Sequence, residues 1–571
     1  MVKIYLYFDK LNDIYDFRKE TVMKRNSFKQ AVICFMILSF TFVGTACSAQ
    51  APGNVTNQQT SSAEPDISHF IVAVEDEPDT VDFQCTSIHY TIAQNVFNRL
   101  VEMENDENGD MQILPSLAES WEVYGDGRDY TFHLREGVTF SNGNPLTSSD
   151  VKYTFERLLT HPAACNQDIV DIILGADALV NGEKDTLEGF KILSDLDFVI
   201  TIGQPFEAFL ACLTMPGASI LDEETTTEAG DRFGTDPEWT IGTGSFVLWK
   251  WTPGEGMLLK ANPKCWQGAP NCEGLDLRFV KDAREIRRMF ENGEIDILDL
   301  DEVGNSAEFF LHGSEYQDRL FSCPRIGITY IALNESIAPL DDVRVRKAMQ
   351  LAIDRPTLLA AVYGGRGAVE NGIFPHGLYG YNPELPEIAY DPEQAKKLLA
   401  DAGYKAGFDL TVSVNSASTR WELSVLEMAA SMWEAVGIKT TIDVVDESDF
   451  MSRRKSGEIA CYTAQWMADF NDPDNFIYTF FGNEHNTTFR SLCYPKEDIM
   501  GRVQMARTVS NPNERIREYQ DLERIIVQED AAWIPLYSRR RYYVTSKRLE
   551  GIQASWNGSV KNKYREMSIS Q

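Results

Sequence analysis

Phe408-Asp409-Leu410-Thr411-Val412-Ser413-Val414 alternates apolar and polar residues, and Ile438-Lys439-Thr440-Thr441-Ile442-Asp443-Val444 does so again. A period of two puts Phe408, Leu410, Val412 and Val414 on one face of a strand. Ile438, Thr440, Ile442 and Val444 share a face in the same way. The stretch between them predicts a helix over Leu423–Ala435. Strand, helix and strand in that order imply two parallel neighbours with a crossover, the building unit of an α/β lobe.

Working outward, the flanking segments carry helix signals of the same kind. Asp391, followed by Pro392 at the first helical position and Gln394 three residues on, starts a helix that Gly403 ends. Asp341-Asp342 caps another, with Val345, Ala348, Met349 and Ala352 on one stripe. In the first half, His69-Phe70-Ile71-Val72-Ala73-Val74 reads as a buried strand, and Tyr130, Phe132 and Leu134 alternate as a half-buried one. Ser141-Asn142-Gly143-Asn144-Pro145 makes a turn, and Ser148-Ser149-Asp150 caps a helix carrying Val151, Phe155 and Leu158. Gly242-Thr243-Gly244-Ser245 is a tight turn into the strand Phe246–Trp249, since it lacks the third glycine of a dinucleotide-binding loop.

The chain has 571 residues, 43% of them hydrophobic, and a formal net charge of −33. An acidic surface repels phosphate backbones, which counts against a nucleic-acid partner. Residues 1–46 have the layout of an export signal. Met23-Lys24-Arg25 opens it, a nearly continuous apolar run extends from Ala31 to Val43, and Gly44-Thr45-Ala46 supplies small residues. Met23 is the more natural start. Cys47 directly after that site is similar to the lipid-accepting cysteine of a bacterial lipobox, although Gly44 stands where Leu or Val is usual. An ordinary signal peptide is the rival reading. Ser48–Ser62 is too poor in large apolar residues to order itself, so residues 47–66 read as a lipidated cysteine and flexible tether. No later run resembles a membrane helix, and the remainder is long enough for two or three domains.

Ten cysteines include Cys34 and Cys47, leaving eight in the exported part, an even number that permits disulfides. Cys265 with Cys272 closes a short loop on paper, and Cys461 and Cys493 flank a segment of interest. No C-x2-C or neighbouring His pair supports zinc. There is no G-x-S-x-G, H-E-x-x-H, P-loop or C-x-x-C, so no catalytic residue, metal site or cofactor is expected.

Trp466-Met467-Ala468-Asp469-Phe470-Asn471-Asp472-Pro473-Asp474 combines an indole, several carboxylates and a proline-fixed turn. An aromatic wall beside an aspartate suits a ligand with an ammonium group and an apolar body, because the charge needs a partner where water is excluded. A turn with solvated acids is the alternative.

Leu114-Pro115-Ser116-Leu117-Ala118-Glu119-Ser120-Trp121, Tyr130–Phe140, Asp150-Val151, Gly242–Phe246, Asn262–Trp266 and Gly293-Glu294-Ile295-Asp296 form an ordered series of blocks. The series continues through Asp342–Ala348, Ala352–Arg355 and the Asp391-Pro392 helix, over roughly residues 70–550. In these blocks, their order and their spacing the chain resembles the extracellular solute-binding proteins of family 5, the peptide-binding subunits of ABC importers. The resemblance implies a two-lobed α/β fold of the periplasmic-binding-protein type (type II, cluster C) with an extra subdomain in lobe one. Lobe one would span 67–325, lobe two 326–534, and 535–571 would return to lobe one, with crossings near Cys323–Tyr330 and Trp533–Tyr537. In peptide-binding members a Trp-x-x-Asp block supplies the aspartate that holds the ligand's α-ammonium, which falls here on Trp466 and Asp469. Arg420 lies where dipeptide binders place a carboxylate partner, with a surface arginine as the alternative. The implied partners are a peptide, ABC permease subunits and, through Cys47, a lipid anchor on the outer face of the cytoplasmic membrane; the implied state is a monomer. A nickel chelate, an oligosaccharide or another small amine on the same scaffold is the first rival, and a sensory or chaperone-like surface protein the second.

Overall fold

The structure is a computed structural model that describes residues 69–570, apart from 75, 87–89, 107–110, 418–419 and 562. The side chains of 305 and 420 are also outside it. The expected signal segment 1–46, Cys47 and the tether 47–66 therefore lie outside the described residues.

The strand pair that sets the fold class is present. Phe408–Asn415 and Ile438–Val445 pair in parallel, with Phe408 opposite Ile438 and Asn415 opposite Val445. The helix between them, Arg420–Glu434, begins three residues earlier than the sequence periodicity indicates. Gly407 and Gly437 precede the two strands at φ of 81° and 101°. A Cβ on Gly407 would sit 1.9 Å from the Gly437 carbonyl oxygen, so this close start of the pair requires glycine. Leu410, Val412 and Val414 turn inward onto Val425, Leu426 and Trp433 of the helix.

These strands belong to a twelve-stranded sheet. Beyond Phe408–Asn415 its order continues through Cys461–Met467, Gly327–Leu333, Trp533–Thr545, Ile297–Asp299, His69–Val74, Gly274–Phe279 and Gly256–Ala261 to Phe246–Thr252. Trp533–Thr545 serves both halves. Its first residues pair with Gly327–Leu333, with Trp533 opposite Ala332. Its last residues pair with Ile297–Asp299, and Leu320–Pro324 also lies along it, with Pro324 opposite Arg540. Trp533–Thr545 thus links the strand group around Gly327–Leu333 to the group around Ile297–Asp299.

The extra subdomain of the first lobe is built on a four-stranded sheet in the order Ala118–Tyr124, Asp129–Leu134, Asp197–Thr201, Phe190–Ile192. Phe132, Phe198 and Phe190 stack through it at 5.4 and 4.9 Å, and Phe155 of the helix Ser148–Thr160 packs on Phe190. That helix is capped one residue before the sequence signal. Thr147 is the N-cap, and Asp150 accepts its backbone N–H at 2.8 Å, closing a capping box.

All eight described cysteines are free. The Cys265–Cys272 loop considered from sequence is not closed, because each thiol faces a different neighbour. Cys265 lies by Ser245 Oγ and Cys272 by the Tyr564 carbonyl. Cys461 is enclosed in the core of the second lobe, whereas Cys493 lies by the Gly457 carbonyl.

Candidate ligand cleft

The strand Cys461–Met467 ends on Trp466 and Met467, the chain turns through Ala468–Pro473, and the helix Asp474–Phe481 follows. Asn475, in the first turn of that helix, ties the turn together. Its Oδ1 accepts the indole N–H of Trp466 at 3.2 Å and the backbone N–H of Asp469 at 3.0 Å. Its Nδ2 donates to Asp469 Oδ2 at 3.0 Å. Trp466 stands edge-on to Phe480, and the Arg490 guanidinium lies over the Trp466 ring at 4.7 Å. Trp466 and Asp469 are therefore brought together through a residue that the sequence reading did not single out.

The aspartates of this segment have different surroundings. Asp472 is buried and receives both Nη1 and Nη2 of Arg515, at 2.8 and 2.7 Å. Asp474 is buried too, accepts the Tyr519 hydroxyl at 2.7 Å and lies 3.2 Å from Arg507 Nε. Asp469 alone of the three is open to solvent. It nevertheless sits in a recess so crowded by protein that desolvation pushes its carboxyl up to about 6. The Asn475 hydrogen bond and Arg490 pull the other way, while Asp168 adds to the rise.

The opposite wall comes from the first lobe. Tyr90 donates its hydroxyl to Asn166 Oδ1 at 3.2 Å and to the Thr86 carbonyl at 2.9 Å. A recess of about 180 Å³ is lined by Tyr90, Arg99, Asn166 and Met215 from this side, and by Asp469 and Trp556. A second recess of about 520 Å³ runs between Asp168, Asp171 and Phe206 on one wall and Asn475, Arg490 and Arg507 on the other. Asp171 is raised to about 6 there, by desolvation and then by Asp168. Neither Asp168 nor Asp171 stood out in so acidic a sequence.

The lobes are shut around these recesses. Phe470 packs into the apolar core of the first-lobe subdomain, and the Asn471 N–H meets Met103 Sδ at 3.4 Å. Arg507 lies over Phe206 at 4.2 Å and over Tyr478 at 3.7 Å. Arg420 is the first residue of the helix Arg420–Glu434, and its side chain is outside the described residues. No helix among the described residues is long and apolar enough to cross a membrane.

Two lobes closed over polar recesses, joined by strands that run through both, define a bilobal solute-binding protein. The chain belongs to the family described as bacterial extracellular solute-binding proteins, family 5 Middle, whose sequence profile matches residues 112–488. It is 28% identical to heme-binding protein A of Haemophilus influenzae over 533 residues, which cover 90% of this chain and 95% of that protein. It is 29% identical to the dipeptide-binding protein of Escherichia coli over 464 residues, 78% of this chain and 84% of the other. Among solved structures, HbpA2 from Haemophilus parasuis superposes with a TM-score of 0.75 at 26% identity, covering 88% of this chain and 100% of that one.

Proposed function

We propose that this chain captures short peptides in its interlobe cleft and delivers them to the permease of an ABC importer. The observation that carries this reading is the state of Asp469. Its neighbours Asp472 and Asp474 are neutralised by buried partners, whereas Asp469 faces a ligand-sized recess and no cation is bonded to it among the described residues. A peptide ammonium supplies that partner, and an ammonium–carboxylate hydrogen bond shielded from water is strong. Asn475 fixes the direction of Asp469, and Arg490 stacks on the Trp466 that the same amide holds beside it.

Lobe one is assigned 67–325, lobe two 326–534, and 535–571 to the return. Ligand binding to groups on both lobes at once favours the closed population, and hinge motion in the crossing segments opens it. Exported as a lipoprotein through Cys47, a monomer of this kind would be held by its tether beside the permease. Native mass spectrometry of the protein as purified tests the cargo. Adducts with masses of short peptides are expected; the mass of a metal chelate, an oligosaccharide or a macrocycle would replace this reading with another cargo on the same scaffold.

A further inference from the structure

Two cysteines meet behind the first-lobe wall of the cleft. The Cys165 N–H donates to the Gln84 carbonyl at 3.0 Å, and the Cys165 Sγ lies 3.7 Å from the same oxygen. Asn166 Nδ2 donates to the carbonyls of Phe83 and Thr86 at 3.0 and 2.8 Å. Cys85 stands between Gln84 and Thr86, so these bonds hold its backbone beside Cys165. The path from one Cα to the other, through the Cys165 N–H and the Gln84 carbonyl, would measure about 7 Å if straight, and bond angles shorten it. Disulfide-bonded Cα atoms lie about 4.4–6.8 Å apart. Both thiols are free in this structure, Cys85 half-buried and Cys165 exposed.

The surroundings of Cys85 provide for its proton. Its Sγ lies 3.2 Å from Asp82 Oδ2 and 3.3 Å from His161 Nδ1. Arg157 Nη2 already donates to that aspartate oxygen at 2.6 Å. His161 Nδ1 receives the Ala163 N–H at 3.3 Å, so it faces the thiol as an acceptor. Burial and then Asp82 push the Cys85 thiol up to about 12, so Cys85 keeps its proton until it reacts. Cys165 is open to solvent and meets an oxidant first. Burial and then Asp168 raise its thiol as well, which slows that first step.

We propose that Cys85 and Cys165 form a disulfide that fastens the segment carrying Tyr90 to Asn166. The oxidant is itself a disulfide, carried by a dithiol oxidoreductase or a small molecule. The Cys165 thiolate attacks one of its sulfurs, forms a mixed disulfide and releases the other sulfur as a thiol. Cys85 passes its proton to His161 Nδ1, turns about its χ1 toward Cys165 and attacks Cys165 Sγ. The second oxidant sulfur leaves and takes up that proton. Two cysteines are oxidised by two electrons, and one disulfide is reduced to two thiols. The Tyr90 hydroxyl is bonded to the Thr86 carbonyl and to Asn166 Oδ1, and Tyr90 and Asn166 both line the 180 Å³ recess. The new bond therefore ties together two sides of one wall. About 80 residues of chain lie between the cysteines, so the cross-link also restricts the unfolded chain.

Where the oxidant is met rests on the export reading above, since disulfides persist outside reducing compartments; the pair itself is tested apart from it. The full chain is isolated from its cells in the presence of iodoacetamide, digested without reductant and analysed by mass spectrometry. A second sample is reduced, then treated with oxidised glutathione at pH 8.5 before alkylation. In both samples the Cys85 and Cys165 peptides should appear as one joined species, lighter than the two free thiols by two hydrogens and separated by reductant. Reductant should lower the melting temperature of the unaltered chain and leave that of Cys165→Ser unchanged. Both cysteines alkylated after glutathione treatment would overturn the pairing. So would glutathione retained on Cys165 with Cys85 alkylated, a bond from either cysteine to another, or two protected thiols that a chelator releases. A chain leaving cells with both thiols alkylated, though glutathione links them afterwards, would overturn the disulfide as the native state.

Discussion

Asp469 and Asn475 are bonded twice, once through the backbone N–H of Asp469 to Asn475 Oδ1 and once through Asn475 Nδ2 to Asp469 Oδ2. The same Oδ1 also takes the Trp466 indole N–H. One amide on the first turn of a helix therefore holds both the Trp466 indole and the Asp469 carboxyl group. A carboxyl fixed in this way loses little freedom when it meets an ammonium, so most of the hydrogen-bond energy is retained in binding.

Asp469→Asn keeps the shape of the side chain and removes its charge. Peptide affinity should fall about ten- to a hundredfold, or roughly 1.5–3 kcal/mol, the scale of a charged hydrogen bond. Titration calorimetry with a peptide and its N-acetyl form separates the effects. The loss should appear with the free amine and be nearly absent with the acetylated one.

Asn475→Ala removes all three of the side-chain bonds that hold Trp466 and Asp469 while leaving both residues in place. Peptide binding should weaken by about tenfold, because a carboxyl group freed from Asn475 must be ordered again when the ligand arrives, at about 0.5–1.5 kcal/mol per side chain. Intrinsic fluorescence on titration with peptide is the second readout. A looser indole should change its emission in the ligand-free protein, whereas Asp469→Asn should leave that emission close to the original.

Asp469 titrates at about 6, raised first by desolvation and then by Asp168. Above that pH the site is ionised and ready for a cation. Below it, a proton must leave before the ammonium can pair, so affinity should fall as pH drops. Between pH 7.5 and 5 the loss should approach about tenfold, from one proton linked to binding. Affinity measured across this range in Asp469→Asn should be flat apart from the smaller contribution of Asp171, which is raised to a similar value.

The parts of the fold that follow from short-range rules were legible in the sequence. Alternation in Phe408–Val414 and Ile438–Val444 gave the parallel pair, and Asp342 and Asp391 act as caps, accepting N–H groups of Arg344 and Gln394. The cap of Ser148–Thr160 was displaced by one residue because Thr147, Ser148 and Ser149 are all competent caps by type. Only the reciprocal bond from Asp150 to Thr147 chooses between them. Trp466 and Asp469 were picked out by family pattern. Asn475 was not, because an asparagine early in a helix ordinarily reads as a local cap. Arg99 and Asp168 reach the cleft from segments hundreds of residues before Asp469, and no local pattern marks a side chain whose partner is that distant. The acid run Asp469–Asp474 looked uniform in sequence because burial and the pairing arginines come from Arg507 and Arg515.

The proposed lipid anchor at Cys47 makes a prediction of its own. Labelling cells with radioactive palmitate should mark the unaltered chain and leave a Cys47→Ala variant unmarked. The variant should also shift from the membrane fraction to the soluble exported fraction, since a polypeptide tether alone has no affinity for lipid.

Asp472 and Asp469 lie three residues apart and should affect stability in opposite directions. Asp472 is held by two hydrogen bonds from Arg515, and both side chains are buried. Asp472→Ala strands the guanidinium in the interior and should cost about 3–5 kcal/mol, as breaking a buried pair from one side does. Asp469 has its carboxyl raised to about 6, above the value near 3.9 of an unfolded aspartate, so it destabilises the ligand-free fold once ionised. Below pH 4 it is protonated in both states and contributes nothing; as pH rises from 4 to 6 the unfolded chain releases the proton first and stability declines. Asp469→Asn mimics the protonated side chain. Urea unfolding of the ligand-free protein should therefore show Asp469→Asn more stable than the original at pH 7.5, with the gain shrinking toward zero near pH 4. Asp472→Ala should be less stable at pH 7.5. A common sign for the two variants there would mean that the acid run acts as one solvated turn and that Asp469 is not set apart for a ligand.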